Sequence, residues 1–135
     1  MIPQKGETEM EIKTMKRIAE QELFRYQEHN ELLLKVWEAG GHLDRLPCTA
    51  WVRAINGARA HFAATDPKKE AFFADYYQLD RARMRRTKRS MASMAMLYHM
   101  SESALRHWRN EFLTVTIMAA IQTGALKPFR SMEQK

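Results

Sequence analysis

One cysteine, Cys48, is all the thiol chemistry in a chain of 135 residues. An intramolecular disulfide is excluded, and so is a zinc site built on several thiolates, which suits a reducing compartment. Long apolar runs are missing as well. No stretch approaches the roughly 18 uncharged apolar residues of a membrane helix, and the opening MIPQKGETEMEIK lacks the apolar segment of a secretory signal. The expectation is a soluble, cytoplasmic protein with no membrane contact. There is no glycine-rich phosphate loop, no H-E-x-x-H and no C-x-x-C, so the common signatures of nucleotide and metal-assisted hydrolysis are absent from the sequence.

The remaining candidates for catalysis are thin. His29, His42, His61, His99 and His107 are scattered, and His99 with His107 lacks a nearby carboxylate or thiolate that would complete a metal set. Cys48 has no partner placed by spacing and reads as a small, semi-buried side chain. Glu20 with Glu22, and Asp75 with Asp80, lack the company of an acid–base or two-metal site and read as groups for solubility and salt bridges. The sequence predicts no catalysis, no cofactor and no metal.

What is present is charge, unevenly placed. The whole chain carries a net +6. Its first eighty residues sum to −2 and its last twenty-five to +1, whereas residues 81–110 hold eight Lys or Arg against Glu102 alone, a net +7. Arg81, Arg83, Arg85, Arg86, Lys88 and Arg89 form most of that excess, a local concentration of the kind a phosphate backbone attracts.

Immediately after the basic run, Ser90 to Phe112 reads as two short helices joined by a tight turn. Ser101 is the expected N-cap of the second, since its side chain can accept from an unpaired amide of the next turn. Ala104, Leu105 and Trp108 then recur at spacings of 3 and 4, with Glu102, Ser103, Arg106, His107 and Asn110 mainly on other faces. Ala95, Tyr98, Met100, Leu105 and Trp108, with Met94, would glue a helix-turn-helix whose second helix enters a DNA major groove. An ordinary helical hairpin has the same spacing, and the charge favours the DNA reading.

The rest of the chain is also helical in pattern. Met1 to Gly6 reads as a loose leader, and Thr8 with Glu11 as a capping box that opens a helical region to Glu38. Its stripe is Ile12, Met15, Ala19, Leu23, Tyr26, Leu33 and Trp37, weakening at His29 and Asn30, so one long helix or two shorter ones fit. Core packing is the leading role of this stripe and self-association the second. Gly40 and Gly41 end the region, Leu43 to Pro47 connects, and Pro47 starts a helix that buries Ala50, Trp51, Ile55, Ala58 and Phe62. Asp66 caps a further helix from Pro67 that carries Phe72, Phe73, Tyr76, Tyr77 and Leu79. These aromatics precede the basic run and do not interleave with it, so they read as core and not as a stacking platform for single strands. After Phe112 the pattern extends or follows the second helix through Val115, Ile117, Met118 and Ile121, with Gly124 as its stop. The ten Met residues read as fillers between helices.

Tyr76-Tyr77, the run to Thr87, Ala92 and Ala95, and Met100-Ser101-Glu102-Ser103 with Leu105, Arg106 and Trp108 resemble the C-terminal half of the RinA/ArpU-like late transcription regulators of phages infecting Gram-positive bacteria. The pattern is also similar to the DNA-reading region of bacterial sigma factors, and Ile18 to Tyr26 looks like the opening helix of the phage proteins. The likeness covers less than half of the chain. It departs at His99, where such units often have glycine, and finds no counterpart for Leu43 to Thr65. The resemblance implies an all-helical activator that binds a late-operon promoter region and touches RNA polymerase.

The expectation is therefore an all-α, compact helical domain over residues 1–135, with a C-terminal helix-turn-helix in a DNA-binding subregion, residues 81–123. Ser103, Arg106, His107 and Asn110 are the candidates for base edges. Arg85, Arg86, Lys88, Arg89, Ser101 and Arg109 are the candidates for the DNA backbone. Double-stranded DNA is the expected partner, followed by bacterial RNA polymerase and a second copy of the chain. The rival readings are a small terminase subunit that marks phage DNA for packaging, and a helical module whose basic run docks on an acidic protein.

Overall fold

The computed structural model describes residues 5–80 and 89–127, and within them the fold is all-α with no strand. Six helices follow one another: α1 (Lys5–Phe24), α2 (Tyr26–Glu38), α3 (Pro47–Thr65), α4 (Pro67–Tyr76), α5 (Met91–Tyr98) and α6 (Glu102–Thr123), with one 3-10 turn at Leu43–Arg45. None of the helices described is long and apolar enough to cross a membrane.

Local chemistry accounts for most of the boundaries. Pro47 occupies the first turn of α3, where its missing amide costs no hydrogen bond. Pro67 does the same for α4, whose cap Asp66 accepts from Lys69 N at 3.4 Å. Gly124 takes a left-handed φ of 83° and stops α6, which runs through Phe112 as one helix. Helix α1 begins earlier than the capping box suggests: Lys5 is already helical, so Gly6 and Thr8 lie inside the helix and not before it. One internal glycine costs only about 1 kcal/mol.

The first helical region does divide, at Arg25 and not at His29. His29 is buried, and its Nε2 lies 2.5 Å from Glu22 Oε1 across the break. Arg25 spans the same break, toward Glu22 at 3.8 Å and Glu28 at 3.3 Å.

Helix α6 is the hub, packing against α1, α3, α4 and α5, most extensively against α3. Small residues let α3 and α6 approach, with Ala54, Ala58 and Ala120 fully buried. Aromatic rings fill the space toward α4: Phe73 stacks on Phe112 at 4.1 Å, and Phe62 meets Phe73 edge-on at 5.0 Å. Met15, Ala19 and Leu23 of α1, and Tyr26 of α2, complete this side. Asn56, a poor residue for a helix interior, uses its side-chain oxygen to accept from the Tyr26 hydroxyl and so ties α3 to α2. Asp75 is buried, so it does not serve as a solubilising surface charge.

Three stripe positions differ from the pattern. Ile12 is 42% exposed, Trp37 67% and Met118 59%. Trp37 lies in the last turn of α2, where the stripe outruns the surface it packs on, whereas Ile12 and Met118 stand together on the rim of a hollow beside α1 and α6; periodicity identifies a face but not how far a neighbour covers it.

Candidate nucleic-acid interface

Both helices of the C-terminal pair are capped by serine. Ser90 Oγ accepts from Ser93 N and Ser101 Oγ from Ala104 N, each at 3.1 Å. Between them, α5 closes by the Schellman pattern, with Met100 N donating to Ala95 O at 3.0 Å and His99 N to Met96 O at 3.4 Å. The pattern needs a left-handed residue, and His99 supplies it at φ 55°, ψ 47°. The turn that glycine usually makes is made here by a histidine, one of the side chains that tolerate this region best. The connection is three residues long, His99 to Ser101.

The pair is seated by its inner residues. Met94 and Leu105 are fully buried and Ala95 is 9% exposed, while Tyr98, Met100 and Trp108 pack half-buried against the same core. Phe72 of α4 meets the rings of both Tyr98 and Trp108 edge-on, at 5.7 and 5.9 Å.

The outer face of α6 carries Ser103, Arg106, His107 and Asn110, all exposed. At 3.6 residues per turn they fall within an arc of about 100°, so the helix brings the four predicted base-contact residues to one face. Arg106 is engaged there by Glu102 one turn earlier, at 2.9 Å. That pair is open to solvent and is worth at most about 1 kcal/mol, a small barrier to releasing the guanidinium toward a ligand.

The backbone-contact candidates are less uniform. Arg85, Arg86 and Lys88 lie outside the described residues. Arg89 is half-buried just before Ser90, and Ser101 is exposed with its oxygen used as the cap. Arg109 turns inward, and its Nε is buried without a hydrogen-bond partner. Burial works against its charge, but a hydrogen bond with Tyr76 and the nearby charge of Glu20 outweigh that, so it holds its proton more tightly than an ordinary arginine. Glu20 also accepts from the Tyr77 hydroxyl at 2.7 Å. Arg109 thus belongs to a polar cluster joining α1, α4 and α6, and its inward position removes it from the outer row.

The chain that leads into the basic run is firmly held. Gln27 Nε2 donates to Leu79 O, and Arg59 NH2 donates to both Asp80 oxygens at 3.1 and 3.3 Å while its Nε reaches Glu70 at 3.0 Å. Despite partial burial, these two carboxylates raise the proton affinity of Arg59.

The row on α6 also has a neighbour that sequence spacing does not reveal. His61 of α3 lines, with His107, Asn110 and Glu111, a shallow hollow of about 350 Å³ between the two helices. Only the packing of α3 on α6 brings it there. Among the described residues no group of three His, Cys, Asp or Glu side chains is placed to hold a metal ion. Cys48 is buried at the start of α3, in the wall of another hollow shared with Glu22 and His29, which are bonded to each other. Compared with protein-family models, with curated proteins and with solved structures, the chain matches none.

Proposed function

We propose that this protein is a sequence-specific, double-stranded-DNA-binding transcription regulator that docks α6 in the major groove, with α5 and the turn at His99 completing a helix-turn-helix. The observation that carries the reading is the exposed row Ser103, Arg106, His107 and Asn110. It stands on a helix capped and turned as a reading helix requires, inside the segment that holds the chain's charge excess. Arg106 and Asn110 are suited to base edges, because guanidinium and amide groups match the donor and acceptor patterns of guanine and adenine. The run Arg85, Arg86, Lys88 and Arg89 serves the phosphates. The resemblance to phage late regulators refines the reading to a phage or prophage late-gene activator, with RNA polymerase as second partner.

The test is a binding titration on duplex fragments of the source genome and on a scrambled duplex, repeated from about 50 to 200 mM salt. The expected result is a steep loss of affinity with salt on both and a preference for one genomic site. No salt-dependent binding to any duplex would favour the protein-interaction module. A second DNA-binding reading, the small terminase subunit, has one observation in its favour: Leu34 and Trp37 on α2 are exposed at 56% and 67%, as a subunit interface would leave them in an isolated chain. A solution mass of about eight or more subunits would select that reading, and a monomer or dimer the regulator.

A further inference from the structure

We infer that His61, outside the helix-turn-helix, is part of the DNA-binding surface and that it grips a backbone phosphate together with His107, which stands at the α3 edge of the outer row and so leaves the base edges to Ser103, Arg106 and Asn110; DNA affinity then rises as pH falls. The inference rests on α6 being the DNA-reading helix and adds a contact and a regulation to it.

The geometry begins with the shared hollow. His107 and Asn110 form its α6 wall and His61 with Phe62 its α3 wall. His61 also borders the next hollow along the same furrow, with Gly57 and Gln122. His61 therefore stands beside the outer row, on the α3 side of His107 and Asn110. Reading helices reach the groove floor while the elements flanking them meet the phosphates of the groove walls. On this side of α6 the flanking element is α3.

His61 is built to present its ring. It is exposed, but its imidazole stands edge-on to Phe62 at 5.0 Å. Phe62 is itself 4% exposed and locked in the core. An imidazole so backed offers one N–H when neutral, and two with a positive charge when protonated.

The permanent charges around the hollow are engaged with one another. Glu111 is the carboxylate in the lining, and Lys69 of α4 engages it at 2.9 Å. Arg59 of α3 and Glu70 of α4 are turned to each other at 3.0 Å. Asn110 and Thr114 add neutral polar groups. Two imidazolium rings on one small hollow repel each other, and a phosphate placed between them converts that repulsion into two charge-assisted hydrogen bonds. Binding then takes up protons. By linkage the affinity climbs as pH drops, by up to tenfold per pH unit for each proton taken up on binding.

The experiment is duplex binding by the full chain at pH 8, 7 and 6 and constant ionic strength. It compares the unaltered protein with His61→Gln, His107→Gln, His61→Arg and, as a control away from the hollow, His42→Gln; thermal unfolding of each protein at each pH accompanies the titrations. The expected result is an affinity gain of about tenfold or more from pH 8 to pH 6 that His61→Gln and His107→Gln each reduce and His42→Gln leaves intact. His61→Arg, whose charge is permanent, binds at pH 8 as the unaltered protein binds at a lower pH. An unchanged pH profile in His61→Gln, with no gain at pH 8 in His61→Arg, overturns the inference while leaving α6 as the reading helix. Absence of duplex binding at every pH overturns both.

Discussion

Phe72 stands edge-on to Trp108, with ring centroids 5.9 Å apart and planes inclined by 67°. Through that contact the aromatic helix α4 supports the helix that carries the proposed reading face. Phe72 is fully buried and meets Tyr98 of α5 in the same manner at 5.7 Å, so one side chain seats both halves of the pair.

Phe72→Ala should therefore cost about 3–5 kcal/mol of folding stability, the usual range for emptying a buried phenylalanine site. Urea unfolding followed by tryptophan fluorescence measures it. A loss below about 1 kcal/mol would mean that α5 and α6 are not seated on α4 as described.

The turn offers a second test. His99 holds a left-handed backbone conformation that costs a residue with a β-carbon about 1–2 kcal/mol. His99→Gly should leave stability unchanged or raise it by up to about 1 kcal/mol, since relief of strain is partly offset by glycine's freedom in the unfolded chain. His99→Val, branched at the β-carbon, should lower it by about 1–2 kcal/mol. The two thermal midpoints would have to fall in the opposite order to contradict the turn geometry.

These features show what a sequence reveals and what it withholds. Pro47, Asp66 with Pro67, Ser101 and Gly124 were legible because each acts within a few residues of itself, through a fixed angle, a cap or a left-handed stop. The four residues of the outer row follow from helix spacing alone. Arg109 has the charge of a surface cation, although it repeats Leu105 at i+4 and precedes Phe112 by three, a spacing that places it on the inner face. What draws it inward is Tyr76 and Glu20, from two other helices. His61 carried no local signal, because its position depends on how α3 crosses α6. Ile12, Trp37 and Met118 mark the opposite case, where the apolar stripe is longer or wider than the surface that covers it.

The buried cluster predicts a pH effect on stability. Burial, and then the Glu20 carboxylate, push the Tyr77 hydroxyl well above its ordinary value of 10.0. The folded state then keeps this proton in a range where the unfolded chain releases it. The stabilisation is complete below about pH 10 and is lost as pH rises from there toward the folded value. Tyr77→Phe should be less stable near neutral pH, through loss of the hydrogen bond to Glu20, yet lose less further stability above pH 10. Parallel stability curves for the two proteins across the alkaline range would contradict this.

The central claim, that α6 reads base edges while the basic run holds phosphates, is tested most directly by titrating Arg106→Ala and Lys88→Ala against a specific duplex and a scrambled one at several salt concentrations. Arg106→Ala should shift the preference between the two duplexes by about 1–3 kcal/mol. Lys88→Ala should weaken both equally and reduce the salt slope by about one. Equal losses from both substitutions on both duplexes would contradict the division of labour.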